Sequence, residues 1–440
     1  MKINRKKLLD AVKVASKLTG GKTNFPVLTS VMLDGAGQKL MATDLEMFVN
    51  IPLEISDYTR VTETVGVEGV TGEDGVDGLK GPQLRALAED YGIPLPGKAT
   101  VSAMRETIVE ACRNAATEES SWDEKFCIPA RDFGKILGTL EEEEVEITMS
   151  EDVGGTLFNN AAPRVRIGSN FSDLATFDPE EFPGISDAEV DPGNMARVTV
   201  NRKDLSNVSV AAAKDSDRGF QLGIAHFDLS DREKPCVVST DGHRMHWTTL
   251  NPDKVEASEG VEGFSMPLAA VKMLKSVFAD EDDITVEHNN GSNRMSVRFG
   301  EGGVLSIRGV EGKFPDWKRV VPQESARKVT IVKSEMQKPL EQALTITGDK
   351  YSGFRLKFNS GVDVEFTNPE KGAYQKISIP IKAKNYPNDE ETLIGINGRF
   401  VLDAMAPIGT DDIDLMFDDH SKPMCMGHEN YHALVMPMRV

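Results

Sequence analysis

No run of about 18 apolar residues occurs in these 440 residues, so the chain offers no membrane-spanning helix. The amino terminus, Met1-Lys-Ile-Asn-Arg-Lys-Lys7, turns charged at once and lacks the apolar core of a secretory signal, which leads us to expect a cytoplasmic protein. Cysteine is scarce. Cys112, Cys127, Cys236 and Cys425 stand at spacings of neither a disulfide framework nor a metal knuckle, in keeping with a reducing compartment. The phosphate loop G-x-x-x-x-G-K-[ST] is missing too. Cys425 with His420 and His428 matches no standard metal spacing, and the acidic run 141–144 reads as a solvated turn. His243 near Asp241 has no nucleophile beside it. Neither catalysis nor a resident cofactor is expected. Positive charge is also short overall: the net charge of −20 argues, taken in bulk, against nucleic acid.

What is present is repetition. Ile3-Asn-Arg-Lys-Lys-Leu-Leu9 returns as Val200-Asn-Arg-Lys-Asp-Leu205 and, more loosely, as Ile331-Val-Lys-Ser-Glu-Met-Gln-Lys338. Each opens a helix with apolar residues at helical spacing; Leu205, Val208 and Ala212 share one face. A second family of helix starts is Ile128-Pro-Ala-Arg-Asp-Phe133, Met266-Pro-Leu-Ala-Ala-Val271 and Ile396-Asn-Gly-Arg-Phe-Val401. An acidic turn and an alternating strand follow each: 145–149, 284–287 and 413–417. Phe182-Pro183 and Phe314-Pro315 mark unit ends. First and second helices lie 66 and 65 residues apart in the last two copies but 125 apart in the first. The chain is therefore expected to hold three α+β domains, each with two helices on antiparallel sheet, at 1–190, 195–322 and 328–440. The first carries an insertion at about 62–122.

That insertion begins with a Gly-rich acidic linker, 65–78, followed by helices expected at 79–93 and 102–112 and a polar return at 114–121. The pattern resembles SAP-like helix-extension-helix modules. Lys80, Arg85, Lys98 and Arg105 are offset by Glu89, Asp90, Glu106 and Glu110, so DNA binding, protein docking and a structural role all remain open.

Charge is segregated. Residues 1–22 carry +6, and segments 128–140, 200–218 and 266–278 carry +1, +1 and +2. Segments 331–350 and 396–408 sum to zero, so the six repeated helices total +10 and the remainder −30. Such a division lets one face attract phosphates while the rest of the surface repels them. The tail Ala433-Leu-Val-Met-Pro-Met-Arg-Val440 reads equally as an edge strand or as a docking surface.

Asn24-Phe-Pro-Val-Leu28, Thr43-Asp-Leu-Glu-Met47, Thr240-Asp-Gly-His-Arg-Met245, Lys313-Phe-Pro-Asp-Trp-Lys-Arg-Val320 and Val435-Met-Pro-Met-Arg-Val440 stand in this order on the threefold repeat. Together they resemble the bacterial DNA polymerase III beta subunit, the sliding clamp, over the whole chain except roughly 60–124. The insertion departs from the usual form and points to a divergent member, in a bacterial cytoplasm or that of a phage-infected host.

The resemblance implies a non-catalytic protein without cofactor, a head-to-tail homodimeric ring with helices lining its hole. Its partners would be duplex DNA in any sequence, a second copy of itself, the replicative DNA polymerase, the clamp loader and other proteins bearing clamp-binding peptides, with no membrane. Lys22, Lys214, Arg218 and Phe220 fall where the family contacts DNA, and Lys6, Lys7, Lys13, Lys17, Arg202, Lys203, Lys272 and Lys275 supply the basic lining. Gly219 stands where relatives carry an aromatic residue. Ile136 and Phe171 would meet Thr345 and Ile346 of the second copy. A peptide pocket would comprise Thr240, Gly242, His243, Arg244, Met245, Pro315, Arg319, Val320, Tyr351, Asn397, Phe400, Val435, Met436, Pro437, Met438 and Arg439, with Gln221 in place of a leucine. Flexible methionines suit a groove that accepts several peptides, and Arg and His at its rim can hold polar groups. A regulatory DNA-binding protein acting through the insertion is the alternative.

Overall fold

The computed structural model describes residues 1–21, 23–56, 80–90, 95, 100–105, 107–108, 125–149, 164–169, 172–184, 193–213, 222–278, 282–347, 353–368, 372–386 and 391–439. These fall into two compact units. One holds residues 1–12, 23–41 and 53–182, and the other 13–22, 42–52 and 183–440.

Among the described residues a strand runs directly into a helix six times. The helices are α1 (Arg5–Ala15), α3 (Ala130–Thr139), α4 (Arg202–Ser209), α5 (Leu268–Val277), α6 (Lys333–Thr347) and α7 (Gly398–Met405). The insertion contributes α2 (Gly81–Asp90). The repeated asparagine of the sequence motif is a helix cap. Asn4 accepts from the Lys7 amide at 3.1 Å, Asn201 from the Lys203 amide at 2.9 Å, and Asn397 from the Arg399 amide at 3.0 Å. Pro129 and Pro267 do the same job differently: they end the preceding strand and stand at the N-cap of α3 and α5.

In the smaller unit one antiparallel sheet runs Ile55–Ser56, Lys2–Asn4, Glu144–Met149, Arg164–Ile167, Ser172–Ala175. Lys125–Pro129 pairs with Ser30–Asp34, which pairs in turn with Lys39–Thr43 through Met41. Phe133 and Leu137 of α3 are wholly buried. Residues 101–105 of the insertion are helical, and Leu84, Ala88, Met104 and Ile108 are its buried side chains. The linkers 57–79 and 109–124 lie outside the described residues.

The larger unit contains three antiparallel arrays. One runs Val255–Ala257, Met195–Asn201, Asp283–Asn289, Arg294–Phe299, Gly303–Arg308, Met47–Pro52. A second, of nine strands, runs Gly263–Pro267, Ile224–Asp228, Cys236–Thr240, Arg244–Thr249, Tyr431–Val435, Met424–His428, Asp412–Phe417, Arg327–Val332, Ala383–Lys384. The third is Ala373–Pro380, Gly361–Asn368, Gly353–Phe358, Thr392–Asn397. Strict alternation of buried and part-exposed residues along Met195–Asn201 and Asp283–Asn289 is what seats each on a core. The C-terminal core is rich in aromatic rings, with Phe358 stacked on Phe417 at 4.1 Å.

The tail, read as either an edge strand or a docking surface, begins as neither: Ala433–Val435 belong to the interior strand Tyr431–Val435, paired on both sides. Ahead of the strand Met47–Pro52 the Thr43–Met47 turn closes on itself, with Thr43 Oγ1 donating to the Met47 carbonyl at 2.8 Å.

Candidate functional site

The seam of the nine-stranded sheet is the pairing of Arg244–Thr249 with Tyr431–Val435, in the register Arg244↔Val435, Met245↔Leu434, Trp247↔His432. Because side chains alternate, the two faces of this seam differ in kind.

One face is apolar. Met245, Leu434, Ile224, Val238, Phe314 and Cys425 form a buried cluster, with Trp247, Trp317, Val321 and Met436 packed against it. Trp317 lies 5.8 Å from Trp247, which stacks on His432 at 5.2 Å. The segment after Phe314 is held over this face by Asp228. That carboxylate accepts from Trp317 Nε1 at 2.9 Å and pairs with Lys318 at 3.0 Å. Burial alone would raise the Asp228 pKa, but hydrogen bonds from Ser230, Lys318 and Trp317 outweigh it and bring it to about 2. Pro315, Arg319 and Val320 are left exposed on the segment, Val320 by 48%. Beside them Ile224, Ser265 and residues 310–314 line a shallow depression that encloses no room even for a water molecule.

The other face sets buried polar groups beside Tyr431, Ala433 and Val435 of the C-terminal core and is braced by helices. Arg244, expected at a rim, is 4% exposed. Its guanidinium donates to Asp241 at 3.0 Å, Asp403 at 2.5 Å and the Val210 carbonyl at 2.8 Å, and it stacks over Phe400 at 4.4 Å. A charge so fully engaged is a brace between the turn at 240–244 and α7, not a hand held out to a ligand. His246 is buried beside it, its Nδ1 3.2 Å from the Tyr431 hydroxyl and 3.3 Å from the Asn207 carbonyl, and burial pulls its pKa down to about 4. Val435 is likewise fully buried on this side.

Beyond the seam the tail runs over the surface. The Met436 amide donates to the His243 carbonyl at 2.8 Å, and the Met438 amide to the Gly395 carbonyl at 2.9 Å. This places Met436, half-buried Pro437 and Met438 (41% exposed) between the 240–244 turn and the start of α7, where Phe400 is half-buried and the Asn397 side chain is occupied in capping. Thr240 is also committed: its hydroxyl donates to the Arg244 carbonyl at 2.6 Å and accepts from the Gly242 amide at 3.0 Å. Gly242 sits at φ 84°, and the His243 side chain is exposed.

Sequence reasoning missed Phe314, Trp317, Trp247 and Leu434. Alternation carried the signal, since Trp247 lies two residues from Met245 and Leu434 two from Met436.

Of the basic residues, Lys203, Lys272 and Lys275 are exposed on α4 and α5, whose apolar sides are buried. Lys17 reaches the Ser276 carbonyl at the end of α5 (3.4 Å), and Lys13 is exposed. Lys6 is exposed, whereas Lys7 pairs with Glu54 at 2.8 Å and holds that carboxyl below its ordinary pKa. Arg202 is partly buried at the start of α4. Ile136 is half-buried on α3, and Thr345 is exposed on α6. Lys22, Lys214, Arg218, Gly219, Phe220, Gln221, Tyr351, Phe171 and the Ile346 side chain lie outside the described residues.

Residues 318–439 match the model of the family described as DNA polymerase III beta subunit, C-terminal domain. A beta sliding clamp of Staphylococcus aureus is 23% identical over 362 residues, covering 80% of this chain and 90% of its own length. One from Pseudomonas putida is 24% identical over 341 residues, 76% of this chain and 86% of its own. Two solved structures share the fold. The DNA polymerase III beta subunit of Thermotoga maritima has a TM-score of 0.68 at 20% identity, and the DNA polymerase beta subunit of Streptococcus pyogenes 0.72 at 16%, each covering 100% of this chain and 99% of its own. Over most of its length the chain is thus similar to DNA polymerase III beta subunits, and its residues 318–439 match that family's C-terminal domain.

Proposed function

We propose that this protein is a DNA sliding clamp, a non-catalytic processivity subunit that encircles duplex DNA in the cytoplasm and tethers the replicative polymerase. The observation that carries this reading is the repeated strand-to-helix junction with lysines exposed on its helices, in a chain of net charge −20. A basic lining holds phosphates without reading bases, and the acidic remainder keeps other surfaces off the duplex.

Two copies would close head to tail, each giving three domains at 1–190, 195–322 and 328–440. Ser172–Ala175 ends one sheet of the smaller unit, and Ala373–Pro380 ends the last sheet of the larger, with Tyr374 64% exposed. Unpartnered edges of this kind are templates for pairing, and unlike edges joined in a closing rotation make a ring. Ile136 and Phe171 would flank one edge, Thr345 and Ile346 the other. Partners such as the polymerase and the clamp loader would dock linear peptides on the apolar side of the seam. Pro315, Val320, Met436 and Met438 would form the contact surface there, and Met245, Arg244, Thr240, Asn397 and Val435 would shape it from beneath.

Retention on DNA tests the ring. Protein loaded on a closed circle should stay bound through gel filtration and be lost when the circle is cut once. Equal retention on linear and circular DNA overturns the proposal. Loss of all DNA association on deleting 62–122 would favour a regulator acting through the insertion.

A further inference from the structure

A second seam in the larger unit repeats the first with different chemistry. Gly303–Arg308 pairs with Met47–Pro52 in the register Ile307↔Met47, Ser306↔Phe48. The Arg308 amide donates to the Glu46 carbonyl at 2.8 Å and the Val310 amide to the Ser265 carbonyl at 3.0 Å, as the Met436 and Met438 amides do to His243 and Gly395. On this common frame Phe48 stands where the other seam has Met245, Ser306 where it has Leu434, and Arg308 where it has Met436. What is an apolar strip in one seam is a polar strip in the other.

Alternation along the neighbouring strands widens that strip into a face. Val286, Met295, Val297, Leu305 and Ile307 are buried, and the positions between them are not. Across these outer positions Arg294 lies opposite Arg308, Ser296 opposite Ser306, and Arg298 opposite Val304. Arg298 and Arg308 are exposed and Arg294 is half-buried. Like charges set directly opposite each other destabilise a sheet. Among the described residues nothing offsets them: none of the three arginines forms an ion pair or a side-chain hydrogen bond there. Glu287, the carboxylate in the row of Ser296, is taken by Arg197 at 3.8 Å. In a chain with 70 acidic and 50 basic residues, three unpaired arginines on one sheet face mark a place for an anion.

We infer that this face binds single-stranded nucleic acid, its phosphates held by Arg294, Arg298 and Arg308 and a base set against the half-buried Phe48. Arg294 and Arg298 are four residues apart on one strand, about 13 Å, so an extended backbone laid along it meets both. Only the short Ser296 stands between them on this face, and Ser306 beside it keeps the floor low. Planar guanidinium groups take phosphate oxygens through paired N–H donors, and stacking on a ring is open to any base, so the site reads no sequence. A protein partner fits less well. Its interface would centre on exposed apolar or aromatic anchors, and none of the exposed large apolar side chains lies in these rows. The site shares no residue with the lysines of α4 and α5 and does not depend on the ring.

The test measures fluorescence anisotropy of a labelled oligothymidylate of about 20 nucleotides with the full-length protein. Binding at low salt should weaken with a slope of log K against log salt of about −2, the value for three phosphates on a single strand. Arg308→Glu sets a carboxylate opposite Arg294, so the variant should melt no lower than the parent while its affinity for the oligonucleotide falls at least about five-fold. A merely structural arginine would not separate the two readouts in this way. No binding at 50 mM salt, or an affinity unchanged by Arg308→Glu, overturns the inference. So does binding lost with Lys203→Glu, Lys272→Glu and Lys275→Glu together, or with deletion of 62–122, but kept by Arg308→Glu. A polyglutamate peptide that displaces the oligonucleotide at equal charge concentration would assign the arginines to an acidic protein instead.

Discussion

Leu45 and Gly242 occupy the same bend in two copies of one turn, at φ 79° and 84°. In each copy the turn's threonine hydroxyl donates to a backbone carbonyl four residues on, and an aspartate accepts from the next amides. Only glycine adopts that backbone without strain, and the Leu45 side chain is 53% exposed, so little burial repays it. Leu45→Gly should therefore stabilise the protein by roughly 0.5–1 kcal/mol, and Gly242→Ala should destabilise it by a similar amount. Both are read from the urea midpoint at constant m. Gly398 teaches the opposite lesson. Helix propensity alone says that alanine at the first position of α7 should help, yet a Cβ there would lie 2.3 Å from the buried Phe354 ring. Gly398→Ala should cost about 1–3 kcal/mol.

Among elements, the seam strand shows what could be read in advance. The repeated Asn-Arg phrases gave away the helix starts because a cap is a local device, settled within three residues. Methionines 245 and 436 were placed in one pocket by the family resemblance, and not by any local pattern. Arg244 was not legible as a brace: its partners Val210 and Asp403 lie 34 and 159 residues away, and no local pattern tells a braced guanidinium from an offered one. The tail was left open between an edge strand and a docking surface for the same reason, since the neighbour of Tyr431–Val435 is a strand nearly two hundred residues earlier. These buried contacts give the seam a pH response. His226 and His246 are both brought to about 4 by burial, so they stay neutral when folded, while the unfolded chain takes up protons below about 6.5. Around His246 stand Arg244, Asp403 and Asp241, and around His226 stand Asp228 and Lys318. Stability should fall as pH drops from about 6.5 towards 4, by up to about 2 kcal/mol per histidine at pH 5. Asp228 acts lower down: its depressed pKa stabilises the fold above about 4 and is lost towards 2. Thermal melts at pH 7 and pH 5 should differ for the parent protein and less for His246→Gln, compared at each variant's own pH 7 value.

For the whole molecule the question is whether charge or topology holds the DNA, and salt separates the two. Binding by lysines alone releases counterions, so a protein touching six or more phosphates loses on the order of a thousand-fold in affinity between 50 and 200 mM salt. A closed ring on a closed circle is held by its own covalent and interface continuity, and its escape depends on opening, not on counterions. Retention on circles should thus survive 0.5 M salt, with a half-life that Lys203→Glu, Lys272→Glu and Lys275→Glu together change by less than about two-fold. The same triple variant should slow the initial association with DNA, because steering does depend on the exposed lysines of α4 and α5. Deleting 62–122 should leave circle retention intact, since the insertion falls between Ile55–Ser56 and Lys125–Pro129, strands whose partners among the described residues are Lys2–Asn4 and Ser30–Asp34. A retention half-life that collapses with rising salt, or that follows the lysines, would mean that the DNA is merely bound and never enclosed.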